Sequence, residues 1–571
     1  MKHFKLTRDE QGDYQLRVDA MGPALLRDPL LNKGTAFTAE ERRTFKLEGL
    51  LPNQYNTLQM QARRRYAAIA AHEDPFVRYV EMSDLQDRNE HLFYRVLADN
   101  LEALMPIVYT PTVGQATERY SKTYRRGRGV WITPDMKGRV KEVLGAAASW
   151  CDVSLLVVTD NESILGIGDQ GAGGIAISVG KLSLYCAAGG IHPARTLPVS
   201  LDVGTNNKEL LEDDLYLGWR EPRLKGQAYN DLLAEFVAAV KEVFPGALVQ
   251  WEDFRKDNAL AILNRYREDV LSFNDDIQGT GAVAAAGVLG ALRATGESIA
   301  DQRILIYGAG AAGLGIARQL KAVLHLAGLN QDESRNKIAV LDSRGLLVDD
   351  RDLRDDYKKE LAWSAAQAAS VGLGDAERRD IHSVVKAFKP TVLIGSSGQA
   401  GAFDQALIQS MLEYVERPIV LPFSNPTSIS EAKPVDLIKW KNGKVLVATG
   451  SPFDPVEHDG KTHLIGQGNN VFIFPGLGIG ALICNARKVT DGMIGAASQA
   501  LAEAVLPEEL EQGLLFPAIP RLREVAVDIA AAVIKQAGNE GAGDKFDDAE
   551  IQRKLERHSW DAVYPSLVLD D

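Results

Sequence analysis

The chain has 571 residues, 45% of them hydrophobic and 25% charged, an ordinary globular balance with room for two to four domains. Its net charge of −13, with no Lys/Arg block, argues against nucleic-acid binding. No run of about 18 strongly apolar residues escapes a charge, glycine or proline, so no membrane span is expected, and the opening "MKHFKLTRDEQGDYQL" lacks the apolar core of a signal peptide. Cys151, Cys186 and Cys484 are far apart and odd in number, which fits buried thiols of a cytoplasmic protein better than a disulfide framework or a zinc site.

Residues 1–127 read as a helical N-terminal domain. "TAEERRTF" carries a capped-helix start, and "TLQMQARRRYAAIAAH" and "DRNEHLFYRVLADNLEALM" have apolar residues at helical spacing. The basic, glycine-broken "RRGRG" is a seam. From 128 to 275 the pattern is α/β: "VSLLVVTD", "TLPVSLDVG", "ALVQWEDF" and "VLSFND" are short β-branched runs ending in polar residues, as strands of a buried parallel sheet do. A small-residue helix, "DDIQGTGAVAAAGVLGALRA", then leads into a second α/β unit. That unit runs through "RILIYGAGAAGLG", "KIAVLDSRGLL", "PTVLIGSSGQ", "RPIVLPFSNP" and "KVLVATGSPF" to about 464. Glycine-rich turns and helices follow.

"ILIYGAGAAGLG" sets Gly308, Gly310 and Gly313 directly after a strand and at the mouth of a helix. A pyrophosphate needs that arrangement: a tight turn, a close backbone and a helix N-terminus facing the anion. A lone GxGxxG is weak, and a plain glycine turn is its ordinary alternative. Here the next strand ends in Asp342, where a ribose-binding acid belongs, although it lies 34 residues after Gly308 (342 − 308) rather than the usual ~20. A lengthened helix and loop through "LHLAGLNQDESRN" accommodates the difference.

Glu252 and Asp253 end one strand, and Asp275 and Asp276 follow another. Carboxylates crowded beyond the carboxyl ends of neighbouring strands suit a hard divalent cation, Mg²⁺ or Mn²⁺. Helix capping or solvation serves equally well, Asp276 in particular preceding a helix, and the residues alone leave both readings open.

Ten segments resemble the malic enzyme family and occur in its order across nearly the whole chain: "LMPIVYTPTVG", "ILGIGDQG", "GKLSLY", "DVGTNN", "WEDF", "FNDDIQGTGAV", "GAGAAGLGIA", "PFSNPTS", "ATGSPF" and "GQGNNVFIFPGLGIGAL". The resemblance implies oxidative decarboxylation of L-malate to pyruvate and CO₂ with reduction of NAD or NADP. It implies a cation on Glu252, Asp253 and Asp276, with Asp275 holding a catalytic lysine, Lys181. Lys181 would be the base for the malate hydroxyl, a task for which an ammonium must be tuned down. Tyr109 would protonate C3 of enolpyruvate. Asn425 and Asn470 would bind malate oxygens, and Asn469 would face the nicotinamide. Outside that resemblance each has an ordinary role: a core tyrosine, a solvated lysine, turn-forming asparagines.

The implied architecture is a Rossmann-type dinucleotide-binding domain, 276–464, inserted in a central α/β catalytic domain of 128–275 and 465–537. A helical N-terminal domain precedes it, a helical tail over 538–571 closes it, and the implied assembly is a homodimer or homotetramer. One departure stands out: many members have arginine in "TDGERILG" to clamp a malate carboxylate, whereas this chain reads "TDNESILG", with Ser163 in that place. Another cation, such as Arg88, takes over, or malate binds more weakly. The near rival is malolactic enzyme, which releases lactate with bound NAD; "YTPTVG" around Tyr109 fits malic enzyme better. A non-catalytic nucleotide sensor on the same fold is the third reading. For the dinucleotide, Asp342 favours NAD, whereas Ser343, Arg344, Lys358 and Lys359 resemble groups that meet the 2′-phosphate in NADP-using members, so NADP is expected as a competent alternative.

Overall fold

The computed structural model describes residues 4–8, 14–148, 152–440 and 443–570. The chain forms two compact units: 1–255, 268–272 and 549–571 make the first, and 256–267 with 273–548 the second, which is therefore inserted in the first. Cys151 lies outside the described residues. Cys186 and Cys484 are buried and free, and burial pushes their thiols up to about 12 and about 11, which makes them inert.

The first unit opens on strands rather than helices. β1 (Phe4–Arg8) and β2 (Tyr14–Val18) pair antiparallel, Phe4 facing Val18 and Leu6 facing Leu16, and the strand Ser566–Leu569 lies parallel on the other side of β2. Leu16 and Val18 pack with Leu25, Leu31, Phe37, Phe45 and Leu47 into a small core. The expected helical start and helical tail thus each contain a strand. These strands are only four or five residues long, too short to declare a period. The helices come with side-chain caps: Thr38 and Glu41 form a capping box on Ala39–Thr44, Thr57 caps Leu58–Ala70, and Asn89 caps Glu90–Asp99. Leu101–Val108 is a separate helix, so the apolar run through 105 divides at Asn100.

The central sheet has the order β3-β5-β4-β6-β7, formed by Val130–Ile132, Thr196–Leu201, Leu155–Thr159, Leu248–Trp251 and Ser272–Asn274. β3, β5, β4 and β6 are parallel neighbours, with Val158 opposite Trp251. Every residue of β4 and β6 is buried, which explains their near-continuous apolar runs. The buried helix Ile175–Ala187 packs on β4 and β5.

The second unit is built on a seven-stranded sheet of order β10-β9-β8-β11-β12-β13-β16. Its strands are β8 (Ile304–Tyr307), β9 (Ile338–Asp342), β10 (Gly345–Leu346), β11 (Val392–Gly395), β12 (Ile419–Pro422), β13 (Leu446–Thr449) and β16 (Gly466–Gln467), with a separate hairpin of β14 (Val456–His458) and β15 (Lys461–His463). From β8 the chain moves to β9 on one side and returns to β11 on the other. That reversal is the switch point where α/β sheets bind ligands beyond their strand ends. Residues 465–537, which the sequence reading assigns to the central catalytic domain, fall in this compact unit. β16 pairs with β13, and the helices Phe474–Ile483 and Asp491–Glu503 both pack on Leu522–Asn539. Glycines make that packing close: a Cβ at Gly476 would sit 2.6 Å from Ile529 Cβ, and one at Gly480 2.8 Å from Val533 Cβ. Among the described residues no helix is long and apolar enough to cross a membrane.

The C-terminal segment is anchored in the first unit by Trp560. Its N–H donates to Gly190 O at 2.7 Å, and its ring lies edge-on to Tyr94 at 5.3 Å and against His91 and His192. Trp560→Ala should cost about 3–5 kcal/mol, the usual range for a buried aromatic. Denaturant unfolding followed by circular dichroism measures it, and an unchanged midpoint would show that the segment contributes nothing.

Candidate active site

In the first unit two helices and one strand bring the chemistry together. Tyr109 closes the helix Leu101–Val108, and Lys181 sits within Ile175–Ala187. Gly180 lets the two approach, because a Cβ there would lie 2.6 Å from Val108 O and 3.4 Å from Tyr109 Cδ2. Lys181 Nζ stands 5.4 Å from the centroid of the Tyr109 ring. It also lies 2.9 Å from Glu252 Oε1, both side chains being almost wholly buried at 1% and 2% exposure. The other Glu252 oxygen accepts from Gln250 Nε2 at 2.9 Å, and Gln250 Oε1 accepts from the Tyr185 hydroxyl. Tyr185 follows Lys181 by four residues and so shares its helix face. Asp253 is buried and held at φ 55°, in the left-handed region that few non-glycine residues occupy, and its carbonyl accepts from Ser163 N at 3.0 Å.

In the second unit Asp275 and Asp276 open a π-helical turn, Asp275–Gly279, that runs into the helix Thr280–Thr295. Capping there belongs to Asn274, whose side chain accepts from Ile277 N at 2.9 Å. Asn470 Nδ2 donates to Asp275 Oδ2 at 2.9 Å and to Thr280 Oγ1 at 3.1 Å. Asn469 Oδ1 accepts from Val471 N at 2.9 Å, a turn-forming role, and Asn425 Oδ1 accepts from the Ser451 hydroxyl. Glycine is again required: a Cβ at Gly279 would lie 2.1 Å from Asp275 Oδ1, and one at Gly315 1.9 Å from Ile277 O.

The glycine loop after β8 has the shape of a dinucleotide cradle. Gly308 holds φ 125° and a Cβ on it would lie 2.4 Å from Ser396 O; one on Gly313 would lie 1.9 Å from Gly308 O. A Cβ on Gly310 would meet no protein atom within 4 Å. The first and third glycines are thus needed for packing, and the second keeps the approach to the N-terminus of Ala311–Leu326 open to a phosphate. Beyond β9, Asp342 accepts from Arg344 N at 2.9 Å, Arg351 Nη2 at 2.8 Å and Lys358 Nζ at 3.0 Å. Burial pushes this carboxyl up, but the Arg351, Lys358 and backbone hydrogen bonds outweigh it and hold the group below its ordinary value. Lys359 pairs with Asp356 at 2.7 Å and Arg344 Nη2 donates to Asp352 O at 3.1 Å, while Ser343 is exposed.

Three contributors escaped the sequence reading. Gln250 is the polar residue of an otherwise apolar buried strand, and that anomaly was the available signal. Tyr185 was signalled by its spacing from Lys181. Arg351, lying among acids at 349–356, gave none. Gln250→Leu would remove the amide's hydrogen bonds to Glu252 and Tyr185, a loss of about 1–3 kcal/mol. Urea titration of the variant should show the loss, and a wild-type midpoint would mean that water takes over both bonds.

Comparison with known proteins follows the same lines. Residues 86–267 match the malic enzyme N-terminal domain family and residues 277–538 the malic enzyme NAD-binding domain family. The chain is 45% identical over 549 residues to an NAD-dependent malic enzyme of Photorhabdus laumondii, covering 96% of this chain and 97% of that one. It is 46% identical, over the same shares, to NAD-dependent malic enzyme 1 of Vibrio vulnificus. Among solved structures, the malic enzyme of Entamoeba histolytica superimposes with a TM-score of 0.55 at 25% identity, covering 90% of this chain and 91% of that one. Similarity of this extent at both levels carries one conclusion: the chain belongs to the malic enzyme family.

Proposed function

We propose that the protein oxidises and decarboxylates L-malate to pyruvate and CO₂, using NAD and Mg²⁺ or Mn²⁺. Carrying the reading is the buried constellation of Tyr109, Lys181, Glu252 and Asp253 in a chain whose relatives are named NAD-dependent malic enzymes. The residues fit both groups. Glu252 and Asp253 are buried carboxylates, hard ligands for a divalent cation, and Asp276 is proposed as the third. The cradle of Gly308, Gly310 and Gly313 fits a pyrophosphate. When bound, the cation would supply Lewis acidity toward the substrate oxygens, and NAD would supply the hydride acceptor.

The chain's own residues do the rest. Lys181, as the neutral amine, takes the proton of the C2 hydroxyl, and Glu252 and, in this reading, Asp275 hold it in place. Tyr109 delivers a proton to C3 of enolpyruvate once CO₂ has left, so the proton removed at oxygen is balanced by one returned at carbon. Asn425 and Asn470 orient malate and Asn469 faces the nicotinamide. Asp342 receives the adenosine ribose hydroxyls. NAD rather than NADP is favoured by the protein partners of Lys358, Lys359 and Arg344, which leave these cations engaged. On this reading the enzyme works in the cytoplasm as a homodimer or homotetramer, and sedimentation at single-chain mass would remove that part of it.

Purified protein with malate, NAD and Mn²⁺ should produce NADH and pyruvate in equal amounts, lose activity in EDTA, regain it with Mn²⁺ or Mg²⁺, and show a higher kcat/KM for NAD than for NADP. Lactate without net NADH would instead establish the malolactic reaction, and full activity after chelation, with metal content checked, would remove the cation from the site.

The two proton carriers separate by partial reactions. Tyr109→Phe should leave oxaloacetate reduction within a few-fold of wild type while lowering malate-to-pyruvate turnover by about 10²-fold or more, the usual worth of a general acid. Lys181→Ala should impair both. Equal losses in Tyr109→Phe would make the tyrosine a positioning group.

A further inference from the structure

We infer that Glu431 is a positioning residue that fixes the two loops against which the nicotinamide half of the dinucleotide lies. The inference rests on the proposed use of NAD and concerns a residue outside the glycine cradle. Glu431 is wholly buried, and a buried carboxylate is costly unless its oxygens are satisfied. Its side-chain hydrogen bonds lead to two loops of the second unit. Oε1 accepts from Ser397 N at 2.7 Å and from Ser397 Oγ at 2.8 Å, both in the loop that leaves β11. Oε1 also accepts from Ser424 Oγ, and Oε2 accepts from Ser424 N at 3.3 Å, both in the loop that leaves β12. Each serine hydroxyl accepts a backbone N–H in turn, which leaves its proton for the carboxylate. Ser397 Oγ accepts from Gln399 N at 3.2 Å, and Ser424 Oγ accepts from Gly398 N at 2.8 Å. The second of these bonds also crosses directly from one loop to the other. Gly395 makes room for the arrangement, because a Cβ there would lie 2.5 Å from Glu431 Cδ.

Strand order says which part of a dinucleotide these loops face. β9, β8, β11 and β12 are successive parallel neighbours, so their carboxyl ends share one edge. The glycine cradle leaves β8, and Asp342 ends β9. With the pyrophosphate on the cradle and the adenosine ribose beside Asp342, the rest of the cofactor extends the other way, across β11 and β12. The loop after β11 starts in contact with the cradle itself. Ser396 Oγ donates to Gly308 O at 3.3 Å, and a Cβ on Gly308 would lie 2.4 Å from Ser396 O. The loop after β12 runs on into Asn425, the residue proposed to orient malate. Glu431 thus ties the cradle side of this edge to the substrate side, and a single side chain sets the spacing between them. Hydride transfer tolerates little error in that spacing. A carboxylate suits the task because it accepts from every one of these donors and offers none, whereas an amide would turn an N–H toward one of them.

Nucleotide binding separates positioning from folding, because NAD and ADP share adenosine and pyrophosphate and differ in the nicotinamide half. Glu431→Ala should weaken NAD binding, measured calorimetrically, at least about tenfold while the affinity for ADP stays within about twofold of wild type. Glu431→Gln keeps the oxygen that three donors share and should recover part of the NAD affinity. Ser424→Ala removes the bond that crosses between the loops and should lower the NAD-to-ADP affinity ratio in the same direction. That variant carries the test where Glu431→Ala does not fold. Equal losses for NAD and ADP would overturn the inference by making Glu431 a general determinant of the fold, and unchanged affinity for both would overturn it directly. A wild type that binds neither nucleotide would instead remove the NAD reading, and this inference with it.

Discussion

The buried ion pair between Lys181 and Glu252 is the constraint on which the first unit's chemistry depends. Two charges 2.9 Å apart and almost wholly excluded from water are costly to desolvate, several kcal/mol for each ion, and their attraction offsets this only when the remaining hydrogen-bonding capacity is filled. Gln250 fills one of those positions on Glu252 and is itself fixed by Tyr185. The pair therefore locks the helix Ile175–Ala187 to the end of β6. Loss of either partner would strand a buried charge at a cost of about 3–5 kcal/mol. Gly180 then carries the same rigidity to Tyr109, since the helix Leu101–Val108 can approach Lys181 only where no Cβ intervenes. Proton carriers must be placed to within a fraction of an ångström. For Lys181 and Tyr109, the proposed proton carriers, that precision would come from a charge pair that cannot be broken cheaply.

What the sequence revealed divides along physical lines. Parallel strands buried on both faces announce themselves as apolar runs, and β4, β5, β6, β8, β9, β11, β12 and β13 fall within the expected stretches. The glycine loop was legible because its three glycines follow a strand at fixed spacing: at Gly308 and Gly313 a Cβ would violate a close contact, and at Gly310 the space stays open. The N-terminal hairpin was not legible, because β1 and β2 are five residues each and gain their stability from a third strand more than 500 residues away. Nor was the allegiance of the segment after 465. Its helices are apolar on most sides and read as core, but sequence does not say of which core; the glycines at 476 and 480 choose the neighbouring helix by letting it come close.

Asp342 shows how much of a site depends on partners that the sequence does not place. The acid stands at the end of β9 as the dinucleotide fingerprint requires, and the basic residues after it resembled a 2′-phosphate site. In the fold Lys358 lies on Asp342 itself, together with Arg351, and Lys359 lies on Asp356. Cations that neutralise Asp342, the proposed ribose-binding acid, leave less positive field for a phosphate dianion. Accommodating that phosphate would require breaking bonds of 2.8 Å and 3.0 Å at a site only partly open to solvent. Counting charges along the chain could not separate these outcomes, because a lysine looks the same in sequence whether it faces a ligand or an aspartate.

The opening acids of the loops express a single rule. β4, β5 and β6 are each followed at once by a carboxylate, Asp160, Asp202 and Glu252, at one edge of one sheet. Arg223 answers Asp160 and Asp169, and Lys181 answers Glu252. More acid than base remains, and burial pushes Glu162 and Asp202 up toward their neutral forms. A protein has two ways to relieve such an edge: protonate the acids or bind a cation. Protonation is compatible only with acids that the proposed reaction does not employ as ligands. For Glu252 and Asp253 it would destroy the charge that holds Lys181 and would hold the metal, so a divalent ion is the relief compatible with the chemistry. The crowded acids at the sheet's edge are thus what supports the proposed cation site.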